Sequence, residues 1–187
     1  MSYQSSNYYL SLALEEAKKA YKEDEVPVGA VIVKDNRIIS LAHNKVEKDG
    51  SIVSHAEILA LQEAFKKEGT KNLKGYKIYI TLEPCLMCLG AIYNAHIDEI
   101  IFSSLNHKEG AFTKFNVDSS LFKIEYVKSE ESQNLLTEFF KSKSWDYNSS
   151  LKKNLGPTQV LLDYLIISVP MYLRNASGTV IVPSAFW

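Results

Sequence analysis

Cysteine is scarce in this chain of 187 residues: two are present, Cys85 and Cys88, three positions apart. That number and spacing exclude the disulfide framework of a small secreted domain and point to metal or redox chemistry in a reducing compartment. An excess of charge of one sign is missing too. The formal net charge is -1 and the pI is near 6.4, which removes the broad basic surface of a dedicated phosphate binder while leaving room for a local basic patch. The apolar stretch from Val160 to Leu173 is broken by Asp163 and Pro170, well short of the roughly 20 apolar residues that a bilayer demands. Met1 to Tyr9 lacks the charged start and apolar core of a signal peptide, so a cytoplasmic protein without membrane attachment is expected. No internal repeat is present.

With 46% hydrophobic and 23% charged residues, the composition is that of one globular catalytic domain. Leu10, Leu14, Ala17 and Tyr21 recur at helical spacing in a stretch that ends in the charged run Lys22 to Glu25, with Pro27 as the stop. Val28 to Val33 and Arg37 to Leu41 read as antiparallel strands around the turn Lys34-Asp35-Asn36. Ser54 to Lys67 reads as a second helix closed by Gly69. A strand (Tyr76 to Thr81), a helix (Cys85 to Asn94) and a strand (Glu99 to Ser103) suggest a parallel crossover. A short strand (Lys123 to Val127) and a helix (Glu130 to Lys141) complete an α/β/α layer fold around a mixed five-stranded sheet. From about Trp145 the character changes, so residues 1–143 are expected to form the domain and 144–187 an extension.

The chemistry concentrates at His55-Ala56-Glu57 and Pro84-Cys85-Leu86-Met87-Cys88, each at the start of an expected helix. Residues three apart on a helix are neighbours, so both sulfurs can face one metal, and Pro84 is placed to open the helix. The positive helix end favours thiolates, the metal-binding form of cysteine. With His55 as third ligand, the set balances Zn²⁺ and leaves its fourth position open, as catalytic zinc sites do. Glu57 is suited to shuttling protons. It lies two residues from His55, about 200° around a regular helix, so the two converge only in an irregular first turn. A redox pair or a closed structural zinc site are the alternatives; the latter needs a fourth ligand from His43, His96 or His107.

These segments, with Glu25-Val26-Pro27-Val28-Gly29-Ala30, Asn44, Ile58-Leu59-Ala60-Leu61 and Thr81-Leu82-Glu83, closely resemble the bacterial tRNA-specific adenosine deaminases of the cytidine-deaminase superfamily. The match runs from about Tyr8 to Lys141. The H-x-E with P-C-x-x-C signature is the general one for zinc deaminases of nucleobases. The resemblance implies a three-layer cytidine-deaminase-like fold, one zinc per subunit, a homodimer, and conversion of adenosine to inosine at the wobble position of a tRNA anticodon loop. It implies that Asn44 holds the purine, that Val26, Pro27 and Ala56 line the pocket, and that Leu82 and Glu83 wall the zinc. Asn106 falls where the family has Asp before Lys-x-Gly, and Ser51-Ile52 where it has Asp-Pro. Asn44 and Asn106 have plainer readings as turn residues.

A deaminase of a free base or nucleotide, such as guanine or deoxycytidylate, is the rival reading. A binding protein stabilised by zinc is a third, and Glu57 argues against it. An RNA substrate requires a cationic rim, for which Lys45, Lys48, Lys108, Lys114 and Lys141 are the candidates.

Overall fold

The structure is a computed structural model that describes residues 5–154, with side chains described as far as residue 143. The apolar run expected between Val160 and Leu173 lies outside the described residues. Helix α1 (Ser6–Lys22) is followed by β1 (Gly29–Lys34), β2 (Arg37–His43), the one-turn α2 (Val46–Asp49), α3 (Ala56–Glu68), β3 (Lys77–Ile80), α4 (Leu86–Asn94), β4 (Glu99–Phe102), β5 (Lys123–Tyr126) and α5 (Glu130–Asn154).

The strands form one five-stranded sheet in the order β2-β1-β3-β4-β5. Strand β1 is antiparallel to β2 and β3, while β3, β4 and β5 run parallel, so the sheet is mixed and the crossover through α4 is as expected. The period-2 alternation of β1 explains the layers. Val31 and Val33 join Tyr79 and Ile101 under Tyr9, Leu10 and Ala13 of α1. Ala30 and Ile32 face the other way and pack with Ile78, Ile80 and Ile100 against Ala60 and Leu61 of α3 and Leu89 and Ile92 of α4.

Several local expectations shift. Helix α1 ends at Lys22, before Pro27: Asp24 takes a left-handed φ of 64° and the Glu25 N–H returns to the Ala20 carbonyl at 2.9 Å. The hairpin loop has two residues, Asp35 and Asn36, with φ of 49° and 61°, as a right-twisted hairpin prefers. Gly69 caps α3 at φ 66°. Helix α5 continues past Lys141 to Asn154. The chain divides into two units, Met1–Phe139 and Phe140–Trp187; the candidate metal-ligating, catalytic and pocket residues all lie in the first, and Lys141 of the candidate cationic rim lies in the second.

Candidate active site

His55 is the N-cap of α3 and Cys85 the N-cap of α4, both extended (φ -71°, ψ 151° and φ -75°, ψ 171°). Neither side chain caps its own helix, so each is free to turn toward the other. Pro84 stands one residue before the cap and so does not open the helix as its first helical residue; that position is Leu86. The His55 Nδ1 atom lies 3.7 Å from Cys85 Sγ and 3.4 Å from Cys88 Sγ, and the three donor atoms are all within 4.8 Å of one another.

That donor set fits zinc. Zn–N near 2.05 Å and Zn–S near 2.3 Å at a tetrahedral angle place N and S about 3.6 Å apart, which matches both separations. Among the described residues no fourth His, Cys or carboxylate joins the cluster at this spacing, so it does not close as a structural four-ligand site. His43, His96 and His107 take no part in it. The thiols already share their protons unevenly. A hydrogen bond from Cys88, helped by His55, holds Cys85 down to about 4, whereas the bond to Cys85 together with burial pushes Cys88 up. The bond to Cys85 raises His55 as well. A divalent cation replaces such shared protons when it binds.

Glu57 converges on this cluster because His55 stands outside the regular helix. Its carboxyl lies close enough to the Cys88 thiol and to His55 to interact electrostatically with both. It is only 4% exposed, and burial drives its pKa above the ordinary carboxylate range against the weaker pull of its own backbone N–H and His55. It does not complete the cluster as a ligand.

Four segments meet beside the cluster. The Asn44 N–H bonds the Val28 carbonyl at 3.0 Å, the Lys45 N–H bonds the Ser54 carbonyl at 3.0 Å just before His55, and Thr81 is tied to Gly29 through both backbone and hydroxyl. Pro27 is buried and Val26 half-buried against the core, and Leu82 packs against the same core. The Ala56 side chain is wholly buried in the core, which leaves its backbone as the part able to meet a ligand. Asn44 is 5% exposed; its Nδ2 donates to Glu25 at 3.1 Å, and its Oδ1 accepts no hydrogen bond within the described residues.

Two expected contacts acquire different surroundings. Glu83 is buried, but its carboxylate accepts from the N–H groups of Asn106 (3.0 Å), Phe112 (2.8 Å) and Thr113 (2.7 Å) and from the Thr113 hydroxyl (2.6 Å). It secures the 106–113 loop. Asn106 in turn accepts the Glu109 N–H on Oδ1 at 3.0 Å, the turn role that its residue type allows. A Cβ on Gly110 would sit 2.5 Å from the Asn106 carbonyl oxygen and 2.6 Å from the Glu83 carboxyl carbon, so only glycine fits this approach. The Ala111 N–H to Pro84 carbonyl bond (3.0 Å) ties the same loop beside Cys85. Glu25, which the motif contained without a role, is wholly buried and holds three donors. Its only sequence signal was its place in that motif.

Of the candidate cationic rim, Lys48 pairs with Glu23 at 3.0 Å, whereas Lys45 and Lys114 make no ion pair among the described residues. A cavity of about 470 Å³ lined by Lys74, Tyr93, Asp98, Phe122 and Lys123 opens at the opposite, N-terminal end of the parallel strands, away from the cluster.

Residues 3–104 match the family described as the cytidine and deoxycytidylate deaminase zinc-binding region, which with the His/Cys/Cys cluster supports zinc as the metal. A tRNA-specific adenosine deaminase of Aquifex aeolicus (strain VF5) is 47% identical over 140 residues, covering 72% of this chain and 93% of the relative. A solved structure from a study of A-to-I editing by tRNA:A34 deaminases at the wobble position of transfer RNA aligns with a TM-score of 0.63 at 33% identity, covering 70% of this chain and 99% of that one. A guanine deaminase from Bacillus subtilis, 24% identical with a TM-score of 0.54 over 82% of this chain and 97% of its own, shares the fold.

Proposed function

This chain belongs to the tRNA-specific adenosine deaminases, which carry the zinc-binding region of cytidine and deoxycytidylate deaminases, and on that premise we propose that it converts wobble adenosine of a tRNA to inosine. The observation that carries the chemistry is a buried carboxyl, Glu57, set against a three-donor cluster that no fourth side chain joins among the described residues. The atoms balance as adenosine plus water giving inosine plus ammonia.

His55, Cys85 and Cys88 would hold one zinc per chain, which when bound would supply activation of a water at neutral pH. Glu57 takes one proton from the attacking water and places it on the purine ring nitrogen, then takes the second from the oxygen newly bonded to the ring carbon and passes it to the departing amine. Its raised pKa suits both halves of that task. Asn44 offers its free Oδ1 to the purine edge, while Val26 and Pro27 keep water from the face of the base. Leu82 and the Ala56 backbone border the pocket, and Glu83 and Asn106 contribute by shaping the loop beside it. An anticodon loop presents the base at low unstacking cost, and Lys45 and Lys114 are free to meet its phosphates.

Ile52 and Val53 before His55, and Leu86 and Met87 after Cys85, are exposed, and we assign this apolar rim to a second copy of the chain in a homodimer. No helix among the described residues is long and apolar enough to cross a membrane, and we place the enzyme in the cytoplasm with its substrate. The chemistry is assigned to residues 1–143 and none of it to 144–187. Equal enzyme is to be given an anticodon stem-loop with adenosine at the wobble position, free adenosine, guanine and deoxycytidylate. The stem-loop should turn over fastest; faster release of ammonia from any of the free compounds would transfer the assignment to that compound.

A further inference from the structure

Glu25 is a wholly buried carboxylate near the pocket to which the reaction gives no task. It is 0% exposed, and among the described residues no lysine or arginine forms an ion pair with it. Its Oε1 accepts the Lys48 N–H at 2.7 Å, and its Oε2 accepts the Glu47 N–H and the Asn44 Nδ2 at 3.1 Å each. A carboxylate accepts and does not donate, so an amide facing it is forced to present its NH₂. With its main chain fixed to Val28, the Asn44 side chain then has one orientation available: Nδ2 inward to Glu25 and Oδ1 left over.

We propose that Glu25 is a positioning residue that sets the polarity of Asn44, so that the pocket presents a hydrogen-bond acceptor to a donor on the purine edge. This rests on the assignment of Asn44 as a substrate contact. Two backbone N–H groups of α2 hold Glu25 in place, so the polarity of Asn44 is written into the main chain and not into another mobile side chain.

The neutral isostere reverses the logic. In Glu25→Gln the carbonyl oxygen keeps the Lys48 N–H, the NH₂ takes the place of Oε2 and gives up the Glu47 N–H, and the Asn44 amide facing that NH₂ must turn over and present NH₂ to the base. A reversal of this kind misplaces the contact and should lower kcat/KM on the stem-loop by about 10²-fold. The zinc content should stay at that of the parent.

The test is a cycle of Glu25→Gln, Asn44→Ala and the double variant, each measured for zinc content, melting temperature and kcat/KM on the stem-loop. If Glu25 acts through Asn44, Glu25→Gln costs nothing further once Asn44 is alanine. Asn44→Asp combined with Glu25→Gln should restore most of the lost rate, because aspartate presents an acceptor to both sides. An equal second loss from Glu25→Gln in the Asn44→Ala background, or wild-type kinetics in Glu25→Gln alone, would overturn the proposal. If Glu25→Gln does not fold, Glu25→Asp replaces it in the cycle, where the same absence of a second loss is required. Wild-type kinetics in Asn44→Ala instead removes Asn44 from the substrate site, a failure distinct from that of Glu25.

Discussion

Three carboxylates lie buried at one end of the sheet, and the regions around them hold them in opposite ways. Glu25 and Glu83 are saturated by donors, three for the first and four for the second, five of the seven being backbone N–H groups. Glu57 meets its own backbone N–H, the Cys88 thiol and the neighbouring His55, and burial moves its pKa upward. Donors fix a carboxylate as structure; withholding them leaves a group that can gain and lose a proton. The same residue type therefore serves as scaffold or as reagent according to how many N–H groups the fold points at it.

The largest test of this contrast lies in the metal cluster. Cys88→Ala should abolish zinc uptake and turnover together, whereas Glu57→Gln should retain zinc and lose about 10²- to 10⁴-fold in turnover. Metal analysis beside a single-turnover assay separates the two, and a Glu57→Gln enzyme near wild-type rate would erase the difference between the regions.

Smaller effects belong to the scaffold side. Glu83→Gln turns an NH₂ toward N–H donors of the 106–113 loop and should cost about 1–3 kcal/mol of stability, raising KM for the stem-loop more than it lowers kcat. Gly110→Ala, which drives a methyl into Asn106 and Glu83, should cost a similar about 1–3 kcal/mol in urea unfolding. A stable Glu83→Gln protein with unchanged KM would mean that the loop does not depend on this carboxylate.

The smallest effect concerns a carboxylate held by charges. Burial opposes the ionised form of Glu99, but Lys77 at 2.7 Å and Lys123 at 3.1 Å outweigh it and hold the pKa low. A lowered folded pKa stabilises the protein above the ordinary carboxylate range, and that contribution fades as pH falls through the folded value. Glu99→Gln should therefore flatten the acid side of the stability profile while changing neutral stability by under about 1 kcal/mol. Melting temperatures across the acid range check it; an unchanged acid limb would assign the pairs no role.

The elements were legible wherever periodicity was strong, as in α1, α3 and the β1–β2 hairpin, and the cluster was legible because its ligands recur at fixed spacing. The one-turn α2 was missed, since four residues give no period to read. The end of α1 was legible in the charged run Lys22 to Glu25, but the residue that stops it is a left-handed Asp24 and not Pro27, and a positive φ at Asp carries no signal as strong as proline. Glu83 and Glu25 looked like pocket residues or like nothing in particular. Their partners lie about 20 to 30 positions away, and no local pattern states where a carboxylate will find its N–H groups.

The pairing of β1 with β3 bears on how the protein is made. Joining Ala30 to Ile80 closes a loop of about fifty residues, and His55 lies inside that loop while Cys85 and Cys88 follow it. Contacts so distant in sequence form late and slowly. As the chain leaves the ribosome, His55 emerges long before its two sulfur partners, and no competent pair of ligand segments exists until the central strands have come together. If the β1–β3 pairing is what brings the His55 and Cys85 segments together, the rate at which newly made chains become resistant to chelator should follow the rate of that pairing.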